Sequence, residues 1–194
     1  MDLSPVTLEG SVVRLEPLAM HHLPGLCAVG LDPSLWAITT NRMHTADDMR
    51  AYVETALTMR SEGTALPFAT VERATGTVIG STRFGNADHA HRRVEIGWTW
   101  IAPPWQRSAV NTEAKWLMLR HAFEVMGCRR VELKTNAINA RSRAAILRIG
   151  ATEEGTLRQH MIQPDGSSRD SVYFSIIDGE WPAVQERLLK RLAN

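Results

Sequence analysis

An apolar stretch from Ile96 to Ile101 leads into a polar loop and then a helix start, and this loop could bind an anion. The loop runs through Gln106, and helical periodicity begins near Thr112. At a helix start several backbone N–H groups lack intrahelical partners, and the aligned peptide dipoles favour a negative charge. The loop is therefore a candidate phosphate site. Every strand-loop-helix unit shares this geometry, so the loop alone does not establish binding.

A second helix start follows the next strand along the chain. Asn139 is a typical N-cap residue, and Ser142 lies three residues later. Two neighbouring helix starts could serve one extended, polyanionic ligand, to which arginine side chains form charge-assisted hydrogen bonds. The candidate arginines are Arg107, Arg141, Arg143 and Arg148. The alternative for each is a place on a solvated basic surface.

Strands and helices alternate in a pattern that predicts a mixed α/β fold. Hydrophobic periodicity predicts helices at 20–29, 46–62, 112–126, 140–149 and 180–192, with Thr45 capping the second and Asn111 or Thr112 the third. Strand patterns occur at 12–17, 66–72, 78–84, 93–101, 130–135, 157–163 and 168–177. Short connections favour antiparallel pairing early in the chain, whereas later helices require crossovers. We expect a single α/β (α+β) domain over residues 1–194, with a mixed central sheet of about seven strands and helices on both faces.

The composition argues against several classes of function. The formal net charge is +1 at pH 7, which disfavours bulk electrostatic binding to nucleic acid or an anionic membrane. The two cysteines, Cys27 and Cys128, are too few and too distant for a disulfide framework or a zinc site. No segment reads as a signal peptide or a membrane span. We expect a cytoplasmic protein that uses no metal.

Three motifs together resemble the GNAT N-acetyltransferase superfamily. They are Glu95-Ile96-Gly97-Trp98, the loop from Gln106 to Glu113, and Asn139-x-x-Ser142 followed by Ile149-Gly150-Ala151. The stretch between Trp105 and Trp181 is most similar to the branch that contains the Rim-type ribosomal-protein N-terminal acetyltransferases. The resemblance covers roughly residues 12 to 192 and implies a GNAT fold with acetyl-coenzyme A as the acetyl donor.

In this family a loop with the pattern Gln/Arg-x-x-Gly-x-Gly/Ala cradles the pyrophosphate through backbone amides. Here Gln106 takes the first position, Ala109 the glycine position and Asn111 the final small position. The Cβ atom of Ala109 would hinder a positive φ angle and a close approach of the ligand. The resemblance implies a cofactor site made of Trp98, Thr99, Trp100, Ile101, Gln106, Arg107, Ser108, Ala109, Val110, Asn111, Thr112, Asn139, Ser142 and Arg148.

By the same resemblance, strand 93–101 diverges from its parallel neighbour 130–135 and admits the pantetheine arm. A backbone N–H near Trp98 or Thr99 could then polarise the thioester carbonyl. Gly97 lies in the middle of the strand, which is typical of a bulge or of close ligand approach. The alternative is a packing gap opposite Trp98 or Trp100.

Acetyl transfer to an amine requires a group that takes a proton and a group that assists the leaving thiolate. Glu95 is the predicted base, because burial in an apolar strand would raise the pKa of its carboxyl group. The alternative is a structural ion pair with Arg93 or Arg83. Ser142 matches the Rim-type serine proposed to bond the leaving sulfur, whereas Ile146 replaces the tyrosine of other GNAT enzymes. Ser142 could instead be a helix-capping residue.

The acceptor pocket is predicted from the segments 36–44, 83–91 and 161–168. Its candidate contacts are Trp36, Arg83, His91 and His160, since histidine could bind or deprotonate an acceptor. The histidines lack metal-ligand spacing and could be unrelated surface residues. Tyr173 is a second candidate acid, or else a strand residue of the core.

These features predict an enzyme that moves acetyl from acetyl-coenzyme A to a primary amine, either a protein N-terminus or a small amine. The alternative is a coenzyme A-binding module without turnover, which Ala109 and Ile146 would favour. The resemblance also implies a homodimer.

Overall fold

The computed structural model describes residues 1–193 as a mixed sheet with helices on both faces. The strands are β1 (Leu8–Glu9), β2 (Val13–Pro17), β3 (Leu66–Glu72), β4 (Val78–Asp88), β5 (Arg93–Ile101), β6 (Arg130–Asn136), β7 (Thr152–Ile162) and β8 (Ser168–Ile177). The α-helices are α1 (Leu23–Gly30), α2 (Ala46–Ser61), α3 (Ala109–Arg120), α4 (Ala140–Arg148) and α5 (Trp181–Leu192).

The described residues form an eight-stranded sheet in the order β1-β2-β3-β4-β5-β6-β8-β7. Its neighbours pair antiparallel except β5 and β6, which are parallel because α3 carries the chain across the sheet between them. The predicted mixed sheet is confirmed, but the expected number of seven strands was one too low. β1 has two residues, too few to show any periodicity.

Several boundaries differ from the sequence prediction; β4, for example, continues to Asp88 instead of ending at 84. α3 begins at Ala109, and its N-cap is Ser108, whose hydroxyl accepts from the Val110 N–H at 3.3 Å. The predicted caps Asn111 and Thr112 are therefore wrong, since both lie inside the first turn. β7 begins at Thr152 rather than at 157, because its exposed early residues carry no apolar alternation.

The two faces of the sheet bury separate apolar clusters. Phe68 and Ala69 are neighbours in β3 and point to opposite faces, as the pleat requires. Phe68 packs in the cluster that α3, α4 and α5 cover, whereas Ala69 packs in the one under α1 and α2. No helix within residues 1–193 is both long and apolar enough to cross a membrane.

Glu113 of α3 is buried and ties this helix to the turn before β2. Its carboxylate accepts hydrogen bonds from the N–H groups of Ser11, Val12 and Val13 and from the Ser11 hydroxyl, at 2.7–2.8 Å. Gly10 makes room for it, because a Cβ atom there would lie 2.3 Å from Glu113 Oε2. The position of α3, and hence of its N-terminus, depends on this carboxylate.

Glu113→Gln is expected to lower the free energy of unfolding by about 2 kcal/mol, because an amide N–H₂ group would face backbone donors. Urea denaturation measures the loss. Glu54→Gln, at an exposed position of α2, is the matched control and should stay within about 0.5 kcal/mol of the parent. Equal effects of both substitutions would contradict the role of Glu113.

Candidate functional site

A cavity opens where β5 and β6 separate. The two strands pair only at Arg93–Glu95 and Arg130–Glu132. Beyond this point the rest of β5 and the end of β6 line opposite walls of a cavity of about 680 Å³, a size typical of small-molecule sites. The predicted divergence of these strands is confirmed. The edge of β5 that faces the cavity has no strand partner there and can hydrogen-bond a ligand.

A bulge in β5 lies at the cavity wall. Arg83 of β4 is paired with Gly97, but Ser81 is paired with Trp100, so β5 holds one extra residue. Trp98 has a φ angle of +50°, and its carbonyl accepts from the Tyr52 hydroxyl at 3.3 Å. The bulge that the sequence suggested at Gly97 is therefore present, with its unusual backbone angle at the next residue.

The starts of α3 and α4 lie at the same end of the cavity, as expected. Gln106 joins them, because its Nε2 donates to the Ile101 carbonyl at 2.7 Å and its Oε1 accepts from Arg141 at 2.9 Å. At α4, the Asn139 side chain accepts from the Ser142 N–H at 3.0 Å. Members of the predicted cofactor site that line the cavity are Trp98, Thr99, Trp100, Ile101, Gln106, Arg107, Ser108, Asn111, Thr112, Asn139, Ser142 and Arg148.

Ala109 and Val110 are the predicted cofactor residues that do not line this cavity. Val110 packs in the core at 2% exposure. Ala109 is the first residue of α3, and the positive φ of this loop, +61°, is at Arg107 instead. The expectation that Ala109 needs a positive φ angle is therefore wrong, because the helix starts three residues earlier than predicted. Arg143 also turns away and pairs with Glu153 at 3.2 Å.

Glu95 lies at the point where the strands part, and its side chain is 4% exposed. Its Oε2 atom is 3.0 Å from Lys134 Nζ and accepts from Asn86 Nδ2 at 2.8 Å. The suggested partners Arg93 and Arg83 are wrong, since Lys134 of β6 pairs with this carboxylate. Gly97 leaves the space that the carboxylate occupies, because a Cβ atom there would lie 2.6 Å from Glu95 Oε1.

Comparison with known proteins places this architecture in a family. The model of the acetyltransferase (GNAT) domain matches residues 13–152, well over half of the chain. The chain belongs to the GNAT acetyltransferase family. A GCN5-related N-acetyltransferase from Brucella melitensis is 31% identical to it, with a TM-score of 0.90 over 97% of this chain and 86% of that one.

Two further relatives of this acetyltransferase carry more specific names. RimJ of Mycobacterium smegmatis, solved with CoA-disulfide, is 25% identical, with a TM-score of 0.83 over 97% of this chain and 96% of that one. YdaF of Bacillus subtilis (strain 168), provisionally named a ribosomal N-acetyltransferase, is 34% identical over 106 residues. That match spans 55% of the acetyltransferase and 57% of YdaF, so the chain covers little more than half of this relative.

The structure brings together only part of the predicted acceptor contacts. Trp36 lines the cavity and donates its Nε1 proton to the Gly30 carbonyl at 2.7 Å. Arg83 does not line the cavity, because it is buried between the rings of Tyr52 and Trp98, 5.0 and 4.9 Å from their centroids. Arg83 therefore packs against Trp98 of the bulge, and no residue of the predicted segment 83–91 lines the cavity.

Three further predicted residues lie outside the cavity wall. His91 sits in an exposed turn, where its N–H donates to Asp88 at 3.0 Å. His160 is 3.1 Å from the Ser171 hydroxyl and 3.4 Å from the Tyr173 hydroxyl. The Tyr173 ring lies 5.9 Å from Lys134 Nζ, so Tyr173 neighbours the site without facing the cavity.

Lys115 is a cavity residue that the sequence interpretation missed. It lies on α3, is 6% exposed, and donates from Nζ to the Thr99 hydroxyl at 2.6 Å. No carboxylate pairs with it among residues 1–193, and burial lowers the pKa of its amine to about 7. A lysine among the apolar positions of α3 was the available clue. The acetyltransferase thus keeps an amine that is readily neutral beside the bulge.

Lys115→Met is expected to stabilise the cofactor-free protein near neutral pH. Because the pKa of this amine falls from 10.5 to about 7 on folding, the unfolded chain binds more protons between these values. The parent therefore loses stability as pH falls through this range, by up to about 1.4 kcal/mol per pH unit. The free energy of unfolding of Lys115→Met should exceed that of the parent by little near pH 10 and by most at pH 7 and below, as measured by urea denaturation.

Lys190→Met, on an exposed position of α5, is the control for Lys115→Met and should show no comparable pH dependence. If the advantage of Lys115→Met were the same at pH 7 and pH 10, the lowered pKa would be contradicted.

Proposed function

We propose that this acetyltransferase moves the acetyl group of acetyl-coenzyme A to a primary amine, either a protein N-terminus or a small amine, and that residues 1–194 form a single catalytic domain. The cavity between β5 and β6 is the observation that carries the proposal, since it combines two helix starts at its open end with a buried carboxylate at its apex. The CoA-disulfide of the RimJ relative supports it. A cytoplasmic location, a homodimer and the absence of metal, nucleic-acid and membrane partners remain predictions.

The residues present fit a polyanionic cosubstrate. Arg107, Arg141 and Arg148 line the cavity together with the first turns of α3 and α4. Guanidinium groups and free backbone N–H groups at helix starts are the usual ligands of phosphate. The unpaired edge of β5 offers backbone donors and acceptors for amide groups of the pantetheine arm. Ala109 does not oppose this fit, because it is helical, and this removes one reason for a module without turnover.

The chemistry needs a neutral amine, a stabilised carbonyl oxygen and a protonated leaving group. In the proposal the Glu95 carboxylate accepts a proton from the acceptor ammonium, directly or through water. A backbone N–H of the bulge near Trp98 or Thr99 stabilises negative charge on the carbonyl oxygen. The new C–N bond replaces the C–S bond, the proton that the attacking nitrogen loses passes to the leaving sulfur, and the Ser142 hydroxyl hydrogen-bonds that sulfur. Acetyl-coenzyme A supplies the activated acetyl group.

Release of free thiol tests this function directly. Purified protein with acetyl-coenzyme A and a panel of peptides and small amines should release thiol only when an acceptor is present. Mass spectrometry should then show a product heavier by one acetyl group. Saturable coenzyme A binding without transfer across the panel would favour the binding module. No thermal shift at saturating coenzyme A would contradict both, because a ligand selective for the native state stabilises it.

Glu95→Gln is expected to lower kcat by about a hundredfold and to leave the Kd of coenzyme A within about twofold, because it removes the proton acceptor without touching the phosphate end. Glu132→Gln, which removes a neighbouring carboxylate of β6 outside the cavity, is the control. Equal kcat values for parent and Glu95→Gln across the pH range would exclude Glu95 as the base.

Asn139→Ala is expected to weaken coenzyme A binding about fivefold, since the loss of the α4 cap disorders a helix start at the phosphate end. Isothermal titration calorimetry measures the Kd. Thr45→Ala removes the equivalent cap of α2, which accepts from the Asp48 N–H at 3.1 Å, and controls for general destabilisation. If both variants bound coenzyme A as the parent does, Asn139 would have no part in the site.

A further inference from the structure

Arg169 is a cation of the cavity wall whose side chain has no hydrogen-bond or ion-pair partner among residues 1–193. It lies at the start of β8, opposite Met161 of β7, and both residues line the cavity. The buried Nε atom has no hydrogen-bond partner, and no carboxylate forms an ion pair with Arg169 anywhere in residues 1–193. Burial lowers the pKa of the guanidinium, whereas the charge of Glu95 opposes this change. A half-buried guanidinium without an acceptor costs free energy unless a ligand supplies one.

The position of Arg169 assigns it to the acceptor side of the site. Arg169 and Tyr173 lie four residues apart on β8, so they share a face of the sheet. Tyr173 is paired with Lys134, which holds Glu95. Arg169 therefore lies on the face of the sheet that carries the proposed base, whereas the arginines of the helix starts follow the open ends of β5 and β6.

Charges already present on the protein do not neutralise Arg169. Among the described residues that line the cavity, Glu95 is the one carboxylate. It already pairs with Lys134 Nζ at 3.0 Å and accepts from Asn86 at 2.8 Å. The acceptor end thus carries two cations, Lys134 and Arg169, against one anion. Guanidinium groups bind carboxylates through two parallel hydrogen bonds, so an incoming carboxylate would complete this set.

We propose that Arg169 binds a carboxylate of the acceptor, so that the preferred substrate carries an acid group close to the amine that is acetylated. The inference rests on the proposed acetyl transfer and narrows its substrate class. Two sources supply this chemistry: the α-carboxylate of a free amino acid, and an acidic side chain near the N-terminus of a peptide. Trp36, Ile38 and Thr39 line the same cavity and are uncharged, so these three residues offer the acceptor carboxylate no cation in place of Arg169.

Matched acceptor pairs test the proposal and separate the two sources. One pair is serine and serinamide; the other is a peptide amide with glutamate as its second residue and the same peptide with glutamine. In at least one of the two pairs, the parent protein should have a kcat/KM about tenfold higher for the carboxylate acceptor than for its amide. Arg169→Gln should abolish this preference through KM and leave the amide member unchanged, whereas Arg169→Lys should restore part of it.

Arg158→Gln is the matched control, because Arg158 is exposed on β7 and does not line the cavity. It should keep the parent's preference for the carboxylate acceptor. The Kd of coenzyme A should be the same in Arg169→Gln as in the parent. A weaker Kd for coenzyme A in Arg169→Gln, with acceptor preference intact, would make Arg169 a cofactor residue and overturn the proposal.

Direct binding distinguishes failure of this inference from failure of the proposed function. If no amine were acetylated, the acetyl-transfer proposal would fail. The role of Arg169 would then be tested by itself, by measuring peptide binding to coenzyme A-saturated protein with calorimetry. The glutamate peptide should then bind at least about tenfold more tightly than the glutamine peptide, and Arg169→Gln should remove the difference. The inference would be overturned if serine, serinamide and the two peptides all bound equally. It would also be overturned if Arg169→Gln lowered the affinity for the acid and the amide member of a pair by the same factor.

Discussion

The separation of β5 from β6 after three paired residues is the constraint from which the site follows. Backbone N–H and C=O groups inside a sheet normally satisfy each other, and leaving them unpaired costs free energy unless water or a ligand replaces the lost strand. The parting therefore produces a cavity and, on its β5 wall, a row of backbone groups that are free to hydrogen-bond a ligand. The same parting places the ends of both strands, and the helices that follow them, around one opening.

Electrostatics in this cavity depend on how few anions the protein supplies. Seven basic residues and one acidic residue line it within the described part of the chain. Gly97 is small enough for the one carboxylate to lie over it, and Lys134 keeps that carboxylate paired. Lys115 is compensated differently, since burial lets it lose its proton near pH 7 instead of finding a counter-ion. The remaining cations face the space that a polyanionic cosubstrate and its acceptor would fill.

Most elements could be predicted from local sequence, and particular errors show where local reasoning ends. The cap at Thr45 was predicted because a hydroxyl side chain precedes a helical pattern with acids in its first turn, and the structure confirms it. The start of α3 was misplaced, because Ser108, Asn111 and Thr112 are all good caps and only packing selects one. That error placed Ala109 in a loop, where its Cβ atom would hinder a positive φ angle. In the structure Ala109 is helical, so this objection to cofactor binding no longer applies. The alternative partners suggested for Glu95 failed because Lys134 lies on a strand brought alongside by a crossover.

The sequence by itself determined the alternation of strands and helices, the two helix starts, the family resemblance and Glu95 as a carboxylate in an apolar strand. These depend on periodicity, capping and short motifs, which act over a few residues. Only the tertiary structure decided which side chains meet. It packed Arg83 against the bulge, placed His91 away from the cavity, buried Lys115 beside Thr99, and left Arg169 without a counter-ion among residues 1–193. Those outcomes depend on strand register and on the face of the sheet that each residue shares with distant segments. The physical reason is that a register shift of one residue moves every side chain of a strand to the opposite face of the sheet.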